Sequence, residues 1–402
     1  MPSALPDGEP VPLDGSLPDV ALAELPDSPL SIYLHVPFCS TRCGYCDFNT
    51  YTSNELQGTG TADYLTAAHA EIDLARRVLG DGTPSASTVF FGGGTPTLLS
   101  GAELGGLLAH VREAFGLQPD AEVTTEANPE TVTPQLLDEL LAAGFTRISL
   151  GMQSATPRVL QVLERRHTPG RALEVARMAH RAGFGDVSLD LIYGTPGESL
   201  ADWRTSLEAA LSVEPEHISA YALIVEDGTR LAHQVRRGQV PMTDDDDLAD
   251  KYLLAEQVLT EAGLEAYEVS NWSRGPEHRA QHNMAYWKGH TWWGIGPGAH
   301  SHAAGVRWWN VKHPRAYAAA LAEGRSPGAG RELVDPADRR IERVMLELRL
   351  ADGLPWSVLT DSELRRVPDL VERGLAVITH DNLVLTLQGR LLADAVIRDL
   401  LD

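Results

Sequence analysis

The chain has 402 residues, 43% of them hydrophobic, and a net charge of −23 from 33 lysines and arginines against 56 aspartates and glutamates. That length supports a large buried core and more than one domain, while the acidic balance excludes a general nucleic-acid binder and docking on an anionic membrane by charge alone. No apolar run is long enough to span a bilayer and no charged-then-apolar leader opens the sequence, so the expected location is the cytoplasm, with no integral membrane segment.

Residues 1–29 hold seven prolines among acidic and small residues and predict a disordered lead. From residue 30 to 223 short apolar runs alternate with amphipathic stretches. Strands are expected at Ser31–Val36, Ser87–Gly92, Ala121–Ala127, Thr146–Gly151, Asp186–Tyr193 and His217–Leu223. Helices are expected between them, near 62–79, 101–115, 133–143, 169–182 and 199–212. Strands separated by helices imply right-handed crossovers and a parallel sheet. Six units are too few for a closed eight-fold barrel, so the predicted core is an open, partial (β/α)6 barrel.

Residues 224–330 predict an irregular α/β extension. It has a helix near 245–262, a strand near Glu265–Val269, a Trp- and Gly-rich region and a closing linker, Gly324–Gly330. Residues 331–402 predict a small C-terminal helical domain with a hairpin, Ala376–Thr379 against Leu383–Leu387, in a winged-helix-like order.

All three cysteines, Cys39, Cys43 and Cys46, lie within eight residues, in the loop after the first strand. An odd, clustered set argues against disulfides and for thiolate ligands in a reduced compartment. Three thiolates on one loop suit three irons of a [4Fe–4S] cubane, leaving the fourth iron for an outside chelate such as the amino and carboxylate groups of S-adenosylmethionine. The alternative is zinc, which needs a fourth ligand such as His35.

Other segments carry chemistry of their own. Phe91-Gly92-Gly93-Gly94-Thr95 ends the second strand, and three glycines leave backbone open to a close ligand. Asp190 sits inside an apolar run, where a carboxylate is costly unless paired. Glu126, Gln153 and Arg165 follow or end later strands. Taken singly, a loop acid, a glutamine and a surface arginine are ordinary. Yet these positions fall at or near the C-terminal ends of predicted parallel strands, where β/α proteins build sites.

With these motifs the sequence resembles the radical-SAM superfamily, in its coproporphyrinogen-oxidase-like branch, over about residues 30–400. The resemblance implies a [4Fe–4S] cluster on Cys39, Cys43 and Cys46. It implies S-adenosylmethionine contacts from Gly93, Gly94, Thr95, Glu126, Gln153, Arg165 and Asp190, with Tyr33 and Tyr45 flanking cluster and cofactor. Whether S-adenosylmethionine is cleaved or serves as ligand or regulator is left open by the sequence. Within the branch, the oxidases have a further cysteine two residues after the third; here Phe48 stands there, and the N-terminal lead is short. His282-Asn283-Met284-Ala285-Tyr286-Trp287 instead matches an element of the branch's haem chaperones whose histidine is implicated in haem binding. His282 is therefore the expected axial ligand, with His300 and His302 second in rank. Six of the eight tryptophans crowd this region; clustered indoles flank a macrocycle or simply fill a core. The expected function is a chaperone that carries haem to acceptor haemoproteins, with a homodimer left open. The alternatives are coproporphyrinogen III oxidation in porphyrin biosynthesis, a radical-SAM methyltransferase or cyclopropanase, and a non-catalytic zinc protein.

Overall fold

The computed structural model describes residues 8–56, 60–165 and 168–401. Six parallel strands pair in sequence order: β1 (Leu30–Val36), β2 (Ala86–Gly93), β3 (Leu117–Ala127), β4 (Arg147–Gln153), β5 (Asp186–Tyr193) and β6 (His217–Ala222). A short helix, α1 (Asp19–Glu24), precedes them. Between them lie α2 (Thr61–Leu79), α3 (Gly101–Phe115), α4 (Pro134–Ala143), α5 (Pro157–Val162), α6 (Arg171–Ala182) and α7 (Leu200–Leu211). The pleat sorts the side chains by face. One face sends Ile32, Leu34, Val89, Phe91, Ile148, Leu150, Leu189 and Ile218 into the main core against the helices. The other, concave face is polar and aromatic, and it is the face that matters below.

Residues 8–27 depart from the expected disorder. Leu17, Ala21 and Leu25 recur every fourth residue and are buried in the main core. Glu9 and Arg331 exchange backbone hydrogen bonds of 2.7 and 2.8 Å. Proline content disguised a packed segment, because Pro18 and Pro26 stand at helix starts, where a missing N–H costs nothing.

The extension is continuous with the barrel sheet. After α8 (Arg230–Arg236) and α9 (Asp245–Glu261) come β7 (Glu265–Ala266) and β8 (Asn271–Ser273), which add to the β6 side. After α10 (Gln281–Trp287), strands β9 (Thr291–Ile295), β10 (His300–Ala303), β11 (Val306–Asn310) and, beyond α11 (Pro314–Ala322), β12 (Gly328–Leu333) add beside β1. The result is one open twelve-stranded mixed sheet with β12 and β7 at its margins. The expected linker, Gly324–Gly330, runs into β12. Gly330 is there for packing, because a Cβ at that position would lie 2.7 Å from the Trp309 ring.

The remaining residues form α12 (Pro336–Glu347), β13 (Leu354–Pro355), α13 (Asp361–Leu364), α14 (Val367–Glu372), the hairpin β14 (Ala376–Ile378) and β15 (Asn382–Leu385), then α15 (Leu387–Leu391) and α16 (Ala393–Leu401). Val344, Leu354, Leu370, Leu383 and Val396 make a second core. Arg279–Asp352 at 2.8 Å and the Arg390–Glu256 pair tie this part to the barrel. Among the described residues no helix is long and apolar enough to cross a membrane.

Candidate functional site

The concave face can be followed across the sheet by register. Ser31, Tyr33 and His35 of β1 stand opposite Thr88, Phe90 and Gly92 of β2. Glu126 of β3 faces Ser149 of β4, and Gly151 of β4 faces Asp190 of β5, which faces Ser219 of β6. Paired residues share a face, so Tyr33, Glu126 and Asp190 look into one mouth at the strands' C-terminal ends.

The cysteine loop closes that mouth. Its ends are tied by Cys39 N–H to Tyr51 O at 3.0 Å and Tyr51 N–H to Pro37 O at 2.7 Å. Its apex is held by Gly44, whose N–H donates to Leu163 O at 3.1 Å and whose carbonyl accepts from Leu231 N–H at 2.9 Å. Tyr45 packs into a small apolar cluster with Val159, Leu163, Leu223 and Leu231. All three thiols are half-buried. Burial pushes the Cys39 thiol up and the Cys46 thiol up to about 11, neighbouring cysteines adding to both. Such thiols become thiolates when a cation shares the loop. Outside the loop a cleft of about 470 Å³ is lined by Arg42, Cys43, Cys46, Glu164, Arg230 and His233 among others.

The predicted cofactor residues gather around this loop. Glu126 accepts from Gly93 N–H at 3.0 Å, Gly94 N–H donates to Val36 O at 2.8 Å, and Thr95 N–H donates to Phe38 O at 2.8 Å. The three N–H groups are thus spent within the protein, and a ligand here meets carbonyls and a carboxylate. Gly93 has φ +106°, and a Cβ would lie 2.6 Å from the His35 ring; a Cβ on Gly94 would strike Phe38 O. Burial, with Asp190 as a like charge, raises Glu126 to about 8. Burial also raises Asp190, opposed by hydrogen bonds from Ser219 and Ser149, the latter 3.0 Å from both carboxylate oxygens. Arg165 Nη1 lies 3.6 Å from Cys43 Sγ, Nη2 donates to Gly151 O at 3.1 Å, and its buried Nε has no partner. Arg166 and His167, which follow it in the motif, lie outside the described residues. Gln153, at the end of β4, has φ +65°, a conformation non-glycine residues seldom hold outside constrained sites.

His282 does not stand as the expected open ligand. It is 2% exposed, on α10, inside the concave face. Its Nδ1 bonds Thr88 Oγ1 at 2.7 Å and its Nε2 bonds Tyr286 OH at 2.8 Å. Because Thr88 donates onward to Ser31, Nδ1–H is the donor to Thr88, and Nε2 accepts from the phenol. Neither nitrogen is left for a haem iron. The ring stacks on Phe90, 5.1 Å between centroids, and burial lowers its pKa to about 3. His35 is similarly committed, to Tyr33 OH at 3.0 Å and Asn49 O at 2.9 Å, which removes the fourth ligand the zinc alternative required.

Sequence reasoning missed a buried ionic group beneath the mouth. Glu122 accepts from Arg147 Nε and from the N–H groups of Gln281 and His282, each at 3.0 Å; Arg147 also reaches Asp186 at 3.2 Å. This group holds α10 against the lower ends of β3–β5. The available signal was Arg147 opening an apolar strand.

A sequence model described as the radical SAM superfamily matches residues 33–210, which include the cysteine loop, the glycine loop, Glu126, Gln153, Arg165 and Asp190. An open β/α sheet with three clustered thiols at its mouth is the architecture of that class. The chain belongs to the family of the heme chaperone HemW: it is 52% identical over 380 residues to the protein of that name from Mycobacterium tuberculosis, covering 94% of this chain and 97% of the relative. It is 33% identical over 383 residues to the Escherichia coli protein of the same name, covering 92% and 97%. The coproporphyrinogen III oxidase HemN of Escherichia coli, a radical SAM enzyme, superposes with a TM-score of 0.80 at 23% identity, covering 95% of this chain and 92% of that one. At that identity the likeness is one of fold.

Proposed function

We propose that this protein binds haem and delivers it to acceptor haemoproteins in the cytoplasm, holding a [4Fe–4S] cluster and S-adenosylmethionine as resident cofactors. The carrying observation is the end-to-end likeness to proteins named heme chaperone HemW. Cys39, Cys43 and Cys46 hold the cluster. Glu126, Asp190 and the backbone of Gly93, Gly94 and Thr95 bind S-adenosylmethionine, with Gln153 and Arg165 at the side and Tyr33 and Tyr45 packed nearby. The donor set suits that ligand. Two carboxylates disfavoured as anions by burial gain from a cationic amine and sulfonium, and a glycine loop with its N–H groups spent offers carbonyls to an ammonium. The chemistry a reduced cluster held by these cysteines would supply is an electron for the sulfonium. Arg165, beside Cys43, lowers the cost of negative charge on the loop. The oxidase alternative is not favoured, since Phe48, 61% exposed, stands where the oxidases of the branch have a further cysteine.

The test is to titrate the reconstituted protein with haem, offer an apo-haemoprotein, and assay coproporphyrinogen III in parallel. Stoichiometric haem binding, transfer and no decarboxylation are expected. Failure to bind haem, or efficient porphyrinogen turnover, overturns the reading.

A further inference from the structure

We infer that Glu71, on the inner side of α2, is a positioning residue for the cysteine loop, acting through the turn Gly296–Ala299 that grips Asn49. This rests on the reading that Cys39, Cys43 and Cys46 hold a cluster.

Glu71 is 1% exposed and belongs neither to the mouth nor to the ionic group beneath it. A carboxylate facing a core is costly unless its oxygens are answered, and here both are. Oε1 accepts from Asn310 Nδ2 at 2.7 Å; Oε2 accepts from Gly296 N–H at 2.8 Å and from Tyr317 OH at 2.6 Å. Burial still pushes the group up to about 7 against those donors. An apolar side chain would hold α2 to the sheet at less cost. What the carboxylate adds is a fixed spacing between three donors on three elements: the turn after β9, the end of β11, and α11.

Two of those donors frame the seat of Asn49. Pro297 follows Gly296, and Lys312 lies two residues after Asn310. The Asn49 amide donates to both carbonyls, at 2.9 and 2.8 Å. Asn310 also donates to Gly296 O at 2.9 Å, and Gly298 N–H donates to Val311 O at 3.0 Å, so the turn and the strand end are tied together. The seat is tight: a Cβ on Gly298 would lie 2.6 Å from Asn49 Nδ2. Tyr51 OH donates to Asn49 Oδ1 at 3.1 Å, and His35 Nε2 donates to the Asn49 carbonyl at 2.9 Å. The chain leaving Cys46 is therefore fixed three residues on, by a side chain whose two acceptor carbonyls Glu71 spaces.

The same side of α2 sets the other end of the loop. Tyr64 lies two turns before Glu71, and its ring meets that of Phe38 edge-on, 5.3 Å between centroids. Phe38 immediately precedes Cys39. The helix thus supports the loop on both sides of the three thiols, at Phe38 going in and through Asn49 coming out. Groups behind the ligands of a metal site fix their orientation and tune the metal.

The test uses the full chain, reconstituted without oxygen, as wild type, Glu71→Gln, Asn49→Ala, the double variant, and Leu108→Ala, a core truncation on α3 that lowers stability away from the loop. The readouts are the rate at which a chelator strips iron, the electron paramagnetic resonance of the reduced cluster, and amide hydrogen exchange over residues 43–51. Glutamine turns an amide NH2 towards groups that are themselves donors. Glu71→Gln and Asn49→Ala should each lose iron about tenfold faster, with a shifted spectrum and faster exchange confined to the loop. The double variant should be no worse than Asn49→Ala, because Glu71 acts through that residue. Leu108→Ala should leave all three readouts as in wild type. Wild-type stripping and spectrum in Asn49→Ala overturn the inference, and decide it also if Glu71→Gln does not fold. Additive losses in the double variant overturn it too, as does a Leu108→Ala protein that loses iron as fast as Glu71→Gln. A wild-type chain that takes up no iron removes the inference together with the cluster reading.

Discussion

Glu126→Gln removes a charge that the fold disfavours, and its effect should follow pH. The carboxylate is held at about 8 against an ordinary 4.5, mostly by burial and then by Asp190. The folded, ligand-free protein therefore binds this proton more tightly than the unfolded chain does. Below about 4.5 both states are protonated and the residue contributes no penalty. As pH rises from there towards 8 the penalty grows, and above 8 it is constant. At about 1.4 kcal/mol per pH unit the ceiling is about 5 kcal/mol; water entering the mouth reduces this, so about 2–5 kcal/mol is expected. Glutamine keeps an oxygen for Gly93 N–H, so the bond is preserved while the charge is lost. The assay is urea unfolding of cluster-free wild type and variant at pH 5 and pH 8.5. The variant should match wild type within about 1 kcal/mol at pH 5 and exceed it at pH 8.5. A difference between the two proteins that is flat across pH would refute the reasoning. Saturating S-adenosylmethionine should stabilise wild type more than the variant, since the variant keeps only the Asp190 carboxylate for the cation.

Three further outcomes follow from the geometry. Alanine at any one of Cys39, Cys43 or Cys46 should reduce reconstituted iron from about four per chain to near zero, measured with sulfide under argon; a variant with a full cluster removes that cysteine from the ligand set. Gly94→Ala should cost about 1–3 kcal/mol in thermal unfolding, because its Cβ meets the Phe38 carbonyl; an unchanged Tm means that the loop adjusts freely. Arg147→Met should cost about 3–5 kcal/mol, since Glu122 is left buried with an unpaired charge; a loss below about 1 kcal/mol shows that the N–H groups of Gln281 and His282 suffice for it.

The barrel was readable because its strands are apolar on one face and bounded by capped helices. Ser100, Thr133 and Ser199 each cap a helix with a side-chain oxygen where the sequence placed its start. The cluster loop and the mouth were readable as motifs. What composition concealed was pairing at a distance. Gly330 looks like linker until Trp309, 21 positions earlier, is seen to lie over it. The lead looks disordered until Leu17, Ala21 and Leu25 are counted at their fourth-residue spacing. His282 looks like an iron ligand until Thr88, 194 residues away, is found on its Nδ1. A motif records residue types in a row, and the hydrogen bonds that decide whether an imidazole is available come from other strands.

A twelve-stranded sheet that never closes keeps two raw margins, and on the β12 side the beginning of the chain acts as the hem. Glu9 bonds Arg331 in both directions, Ser326 N–H donates to Leu13 O at 2.7 Å, and Val11 lies against Gly328. Stripped of this segment, β12 would lose the partner of the Arg331 N–H and C=O, and its margin would lie open to a passing strand, the usual route to edge-to-edge aggregation. A stretch that composition marks as dispensable is in this sense the selvedge of the molecule, and shortening the chain to residue 30 would leave the β12 margin without it.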